Sequence, residues 1–448
     1  MSNKKGALLT EEQRLEKALT KKKRRKIALN IFIGFLVILA LFVGITTMIS
    51  VIGVQSNINK AHNYGSADCA QLEYSVEDNG YVNIKSDKGL KVMQLTDVHI
   101  GGGWMSIKKD AMAINTVATM IRVEKPDFVV VTGDISYPVP FQAGTFNNKS
   151  GAKIFAELME TLGVYWTLAY GNHDTEAYSY YTREQLTDFY RSEQYKHCLL
   201  QPGPEDVDGV GNQVINIVNS DGVITRTLIT LDSHSYIDGD VLGIRWLYDN
   251  IHENQINWYK NVVLDLAKRN QDAAKALPAA KQKSYAELEK VVPTSVFFHF
   301  PMEEYRLAWT EYVENDYKDT ENVKYRYGLP GESGKVVYCG IHPDQLFETM
   351  QELGSTDSTF CGHDHYNNFS LNYKGINLTY GYSIDYLAYV GIYKQGTQRG
   401  CTILDYDQNG GLDFHQENYY QDKYQNDARE SVTMQEITTS GLPVLDAR

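Results

Sequence analysis

One stretch divides this chain before anything else can be read. From Ile27 to Val54 there are 28 residues without a charge, and the core runs Ile31-Phe-Ile-Gly-Phe-Leu-Val-Ile-Leu-Ala-Leu-Phe-Val43. About 20 apolar residues cross a bilayer, so the stretch is long enough to span one. It is also too long for a signal-peptide core of roughly 7–15 residues, and no clear A-x-A cleavage site follows. Lys21-Lys-Lys-Arg-Arg-Lys26 stands just before it, and the next positive charge is Lys60. That asymmetry predicts a cytoplasmic N-terminus, with everything after about residue 55 outside a cell membrane crossed once.

Charge follows the same division. Residues 1–26 hold ten Lys and Arg against three Glu; with −13 overall, the remainder carries about −20. An acidic body argues against non-specific nucleic-acid binding, which needs a basic surface. The five cysteines, at 69, 198, 339, 361 and 401, form no CxxC pair. They read as small buried residues, with room for one disulfide outside the cytoplasm.

The expected organisation is a basic tail (1–26), a transmembrane helix (27–54), a stalk (55–88), a body (89–415) and a polar tail (416–448). Within the body, apolar runs alternate with amphipathic segments. Leu90–Thr96, Phe128–Thr132 and Tyr165–Ala169 read as strands. Ala111–Arg122 and Lys153–Leu162 read as the helices between them. Val214–Val218 and Thr227–Leu231 flank Asn219-Ser-Asp-Gly222, a hairpin pattern. A helix over Asn254–Lys268, a strand at Ser295–Phe298, a helix over Asp344–Leu353 and strands at Ser358–Cys361, Gly375–Tyr380 and Gly400–Leu404 follow. Two stretches fit poorly: 269–291 reads as a surface helical insertion, and 303–340, rich in Tyr, Asp and Glu, as a loop excursion.

The chemistry sits where the strands stop. Successive apolar runs end in Asp97-Val-His99, Gly133-Asp134, Gly171-Asn-His-Asp174, His299-Phe-Pro301 and Gly362-His-Asp-His365. Ligands of α/β sheets bind outside the carboxyl ends of strands. Each block alone is weak, since a D-x-H or a G-D arises often by chance. Five in order, each at a strand end, point to converging metal ligands. Mixed imidazole and oxygen donors suit Mn, Fe, Zn or Co better than Mg or Ca.

In these blocks the sequence resembles the calcineurin-like metallophosphoesterases, whose signature is D-x-H, G-D, G-N-H-D/E, a lone His and G-H-x-H. The resemblance implies a four-layer α-β-β-α sandwich behind the transmembrane helix, and two divalent metal ions. Asp97, His99 and His365 would hold one ion, Asn172, His299 and His363 the other, and Asp134 would bridge them. His173 would be the catalytic acid, touching phosphate rather than metal. The implied reaction is hydrolysis of phosphate mono- or diesters by a metal-bridging hydroxide. The alternative is a membrane-tethered metal-binding structural or receptor module without catalysis.

Gly133-Asp-Ile-Ser-Tyr137 is also similar to the G-D-x-x-Y block of the purple acid phosphatases, where the tyrosine ligates iron and the first block is D-x-G. Here His99 stands in place of that glycine, so Tyr137 is expected to pack. Asp174 is expected to orient a neighbouring imidazole or to cap a helix, and His234 to contact substrate or sit in a polar loop. The aromatic stretches Tyr178–Tyr181 and Tyr380–Tyr389 are candidates to line a cleft.

Overall fold

The structure is a computed structural model that describes residues 10–332, 337–389, 392 and 399–431. The basic run and the apolar stretch, expected as separate pieces, form one helix, α1 (Glu11–Asn63), opened by a Thr10 capping box with Gln13. It is long and apolar enough to cross a membrane. Its last turns pack on α2 (Ile107–Glu124) and α3 (Asn148–Leu162), burying Gly53, Asn57, Ile58 and Ala61. Gly53 permits the approach, because a Cβ there would meet Ile107 Cδ1 at 2.5 Å. Asn57 Nδ2 donates to the Ile107 carbonyl at 3.0 Å.

The stretch expected as a stalk holds the end of α1 and two strands, β1 (Tyr74–Val76) and β2 (Val82–Lys85). These form one edge of the larger sheet. Next along it come β6 (Gln213–Val218), β7 (Ile224–Thr230) and β8 (Thr294–Phe297). β10 (Thr356–Cys361), β12 (Ile376–Tyr380), β11 (Ser370–Tyr373) and β9 (Val323–Tyr327) complete it. The smaller sheet runs β14 (Leu412–Asn418), β13 (Gly400–Tyr406), β3 (Leu90–Leu95), β4 (Phe128–Thr132) and β5 (Tyr165–Ala169). Strands β3, β4 and β5 are parallel, with α2 and α3 as their crossovers. The hairpin β6–β7 is antiparallel and turns at Gly222.

Period-two alternation makes the layers. Val92, Phe128 and Val130 face inward and meet Ile215, Phe297 and Phe360 of the other sheet. Their neighbours Met93, Leu95, Val129 and Val131 face outward to α2, α3 and Leu186 and Tyr190 of α4 (Arg183–Tyr190). On the far side, Val214, Ile229 and Val296 pack beneath α5 (Glu253–Lys275), α7 (Glu303–Glu314) and α8 (Leu346–Leu353). Each fully buried Val, Leu or Phe contributes about 1.5–3 kcal/mol, so burial in these cores is the main favourable term holding the layers together. The result is the α-β-β-α order.

Two expectations change. The stretch 303–340 is not a loop throughout: Tyr305, Ala308, Trp309 and Tyr312 recur at helical spacing, and all four are buried on α7. β9 then closes the sheet edge. The boundary at residue 415 falls inside β14, and Tyr419, Tyr420 and Tyr424 beyond it are buried. The insertion at 269–291 holds the end of α5 and the short α6 (Ala279–Gln282), which buries no residue. Residues 432–448 lie outside the described residues. All five cysteines are unpaired.

Candidate metal centre

The ends of β3, β4, β5, β8 and β10 point to one place. Asp97, His99, Asp134 and His365 each offer a ligand atom, all within 4.8 Å of one another, and all four are buried. Asp134 is central. Its Oδ2 lies 3.2 Å from His99 Nε2 and 3.3 Å from His299 Nε2. Its Oδ1 accepts the His173 backbone N–H at 2.8 Å. Asp97 Oδ1 lies 3.4 Å from His365 Nε2, and Asp97 Oδ2 accepts Thr96 Oγ1–H at 2.8 Å. Asn172 Oδ1 lies 3.2 Å from His299 Nε2. The His363 ring stands 5.2 Å from that of His299, on the wall of the site.

Backbone geometry marks the same residues. Asp97 (φ 50°), His99 (φ 52°), Asp134 (φ 56°) and His363 (φ 73°) all lie in the left-handed region. Non-glycine residues rarely sit there, and such strain collects at functional sites. Gly171 and Gly362 allow close approach: a Cβ on them would meet Asp134 Oδ1 at 2.1 Å and Thr96 Oγ1 at 1.9 Å.

These residues fit divalent cations. Asp97 Oδ1 is buried with no hydrogen-bond partner. Two carboxylates and four imidazoles face one another, a donor set of mixed nitrogen and oxygen that suits such ions. Burial would raise Asp134, yet His299 and His173 hold it well below the usual carboxylate range. Burial and the charge of His299 push His363 well below 6.5, keeping its imidazole neutral and able to coordinate.

Three supporting residues escaped the sequence reading. Asp385 Oδ1 lies 3.3 Å from His99 Nδ1, and its Oδ2 lies 3.3 Å from His365 Nδ1. One carboxylate thus backs two imidazoles and turns both Nε2 atoms inward. It arrives on the loop after β12, which crosses to β3 through a Thr96–Ser383 bridge. Glu176 Oε1 sits 2.6 Å from His173 Nδ1. Tyr236 Oη accepts from Asn172 Nδ2 at 3.0 Å, with the amide oxygen toward His299.

Asp174 neither orients an imidazole nor caps a helix. It accepts backbone N–H groups from Asp134 (3.0 Å), Ser136 (2.9 Å) and Gly171 (2.9 Å), stapling the loops after β4 and β5 together. Burial and the charge of Asp134 push it up to about 6. His234 is turned to Gln255 Oε1 (2.8 Å) and stacks on His252 at 4.0 Å; its loop reaches the site through Tyr236 instead. Tyr137 stacks on the His99 ring at 4.5 Å. A cleft of about 380 Å³ opens onto the centre, lined by Tyr137, Asn172, His173, Tyr236, His363 and Tyr389 among others. Of the aromatic candidates, Tyr389 lines it, whereas Tyr380 is buried and donates to Asp364 at 2.5 Å.

Comparison with known proteins gives the family. Two Arabidopsis thaliana proteins are similar over most of their length. "Probable inactive purple acid phosphatase 28" is 24% identical over 69% of this chain and 73% of its own. "Probable inactive purple acid phosphatase 29" is 26% identical over 71% and 77%. "Phosphatase DCR2" of Saccharomyces cerevisiae is 28% identical over 64% of this chain and 46% of its own. The model of the calcineurin-like phosphoesterase family matches residues 90–367, more than half of the sequence, and the chain therefore belongs to the calcineurin-like phosphoesterase family.

Proposed function

We propose that the protein is a membrane-tethered phosphoesterase with a dinuclear metal site, its body outside the cell membrane, acting on phosphate mono- or diesters. The observation that carries this reading is Asp134 Oδ2, set between His99 on one side and His299 on the other. In this reading Asp97, His99 and His365 hold one ion, Asn172, His299 and His363 the second, and Asp134 bridges. Mn, Fe, Zn or Co suits the donors. Two such ions, roughly 3.5–4 Å apart, would supply charge neutralisation at the phosphoryl oxygens and an activated water.

The chain's own residues do the rest. His173 is a candidate acid: Glu176 holds its Nδ1, so Nε2 is left for the departing ester oxygen. Tyr137 packs edge-on to the His173 ring at 4.6 Å and limits its swing. The tether is α1. Ile31, Phe35, Ile38 and Leu41 are 68%, 58%, 68% and 60% exposed, an apolar surface that a bilayer would cover.

A non-catalytic metal-binding module is the second reading, favoured by the word "inactive" in the names of the two plant relatives. One experiment separates them. The full chain, loaded with manganese and assayed by metal analysis, is offered nitrophenyl phosphate and bis-nitrophenyl phosphate. Turnover of either supports the hydrolase. Two bound metals per chain with no turnover of either would sink it in favour of the binding module.

A further inference from the structure

Three loops that leave the ligand-bearing strands share a property the site does not need. Trp104 and Met105 follow His99, Phe141 and Phe146 follow Asp134, and Tyr180 follows His173. Met105 is 46% exposed, Phe141 87%, Phe146 42% and Tyr180 65%. Backbone hydrogen bonds join the loops: Met105 N–H donates to the Ala143 carbonyl, and Tyr180 N–H to that of Phe146. The Phe146 ring meets Tyr180 at 6.5 Å. They form one apolar rim.

The rim faces α1. Trp104 packs edge-on against Phe42 at 6.2 Å. Between rim and helix lies a groove of about 710 Å³, walled by Phe42, Thr46, Trp104, Phe141, Tyr180 and Lys153 among others. Height along the helix decides what fills it. Phe42 is fifteen residues past Ile27, the start of the uncharged run. At 1.5 Å per residue that is about 22 Å, inside a hydrocarbon layer of about 30 Å. A span beginning later than Ile27 would end later still and bury Phe42 deeper. Trp104 therefore meets the helix at a level where the surrounding medium is lipid. Trp and Tyr settle at such interfaces, and a lysine such as Lys153 can extend to the headgroups.

The rim also borders the catalytic cleft. Gln142 lines the cleft, while its neighbour Phe141 lines the groove beside α1. Tyr137 and His173, both cleft residues, stand on the loops that carry Phe141 and Tyr180.

We propose that this rim is seated in the leaflet on the body's side of the membrane, and that the cleft takes a phosphate ester carried by a membrane lipid. The inference rests on α1 as a membrane span and on the phosphoesterase reading. For a lipid phosphomonoester, water forms the new P–O bond and the P–O bond to the lipid breaks. The lipid oxygen leaves with a proton from His173, giving a lipid alcohol and inorganic phosphate.

The test uses the full chain in phosphatidylcholine discs, with manganese. In the first arm, Phe141→Trp is compared with the parent in discs of brominated phosphatidylcholine. The added indole emission is expected to fall by more than about half, because bromine quenches only within the acyl region. In the second arm, discs carry phosphatidic acid, and released inorganic phosphate is measured. Phe141→Asp is expected to lower release from lipid about tenfold, while soluble nitrophenyl phosphate turnover stays within about twofold. An unquenched indole overturns the seat and leaves a protein partner to cover the patch. Quenching with soluble ester cleaved but phosphatidic acid intact overturns the lipid substrate. If no ester is cleaved at all, the phosphoesterase reading falls, and the quenching arm still decides the seat.

Discussion

The two halves of the proposed metal centre are braced in different ways. In the first half, Asp97, His99 and His365 are buried, and one carboxylate, Asp385, backs both imidazoles at 3.3 Å. In the second half the braces are neutral. Tyr236 Oη holds Asn172, and the Thr132 carbonyl accepts His299 Nδ1–H at 2.8 Å. His363 is half-buried on the cleft wall, packed by Tyr248 at 4.4 Å and Phe300 at 4.5 Å. A carboxylate behind an imidazole fixes its tautomer and raises its basicity. The first half should therefore hold its ion tightly, and the second should exchange more readily and face the substrate.

The largest expected effect removes the difference altogether. Asp134→Asn touches both halves, so metal analysis should find neither ion retained and hydrolysis at background. Retention of one ion would show that Asp134 belongs to a single half. His173 belongs to neither. His173→Ala should keep both ions but lose roughly 10²–10⁴-fold in turnover, read from kcat at constant metal content. Full activity in that variant would remove His173 from the reaction.

Asp385→Asn separates the halves. It should weaken the first ion by about 10–100-fold and leave the second nearly unchanged, measured by chelator titration with metal analysis. Equal weakening of both would erase the asymmetry.

Asp385 also shows where sequence reading stops. That these blocks meet at one place was legible because β4 and β5 are short apolar runs that end just before Asp134 and near Asn172. Asp385 follows no such run. It reaches His99 only because the loop after β12 crosses between the two sheets, a contact made at long range. Glu176 was nearer to reach, three residues beyond His173. Helix α7 was readable too, from the spacing of Tyr305, Ala308, Trp309 and Tyr312, but its tyrosines and glutamates had the composition of a loop. The rim beside α1 could not be seen, since single apolar residues in three loops become a surface only when folded.

Protons give a finer comparison. In metal-stripped protein, burial pushes His99 and His365 down. Asp385 beside His99 and Asp97 beside His365 outweigh it, so both lie above 6.5. In the second half only His299 is raised, to about 9, chiefly by Asp134 against its burial; His363 lies well below 6.5. Metal must displace these protons, so affinity rises with pH as competition falls. Above about pH 6.5, log K should climb more steeply with pH for the first half, where two imidazoles are raised, than for the second, where one is. Calorimetry in buffers of different ionisation enthalpy reports the protons released. Equal release from the two steps would break the comparison.

The smallest expected effect lies at Tyr236. Its hydroxyl accepts from Asn172 Nδ2 and anchors the amide with Oδ1 toward His299. Tyr236→Phe removes that anchor while keeping the ring that stacks on Tyr248 at 5.7 Å. The amide can then present its NH₂ to the ion, which offers no lone pair. One neutral hydrogen bond is worth about 0.5–1.5 kcal/mol, so second-half affinity should fall about two- to tenfold. First-half affinity should not move, and turnover should recover with added metal. If Tyr236→Phe instead costs more than Asp385→Asn, the neutral brace is the stronger one, and the half that faces the cleft is the one that holds its ion.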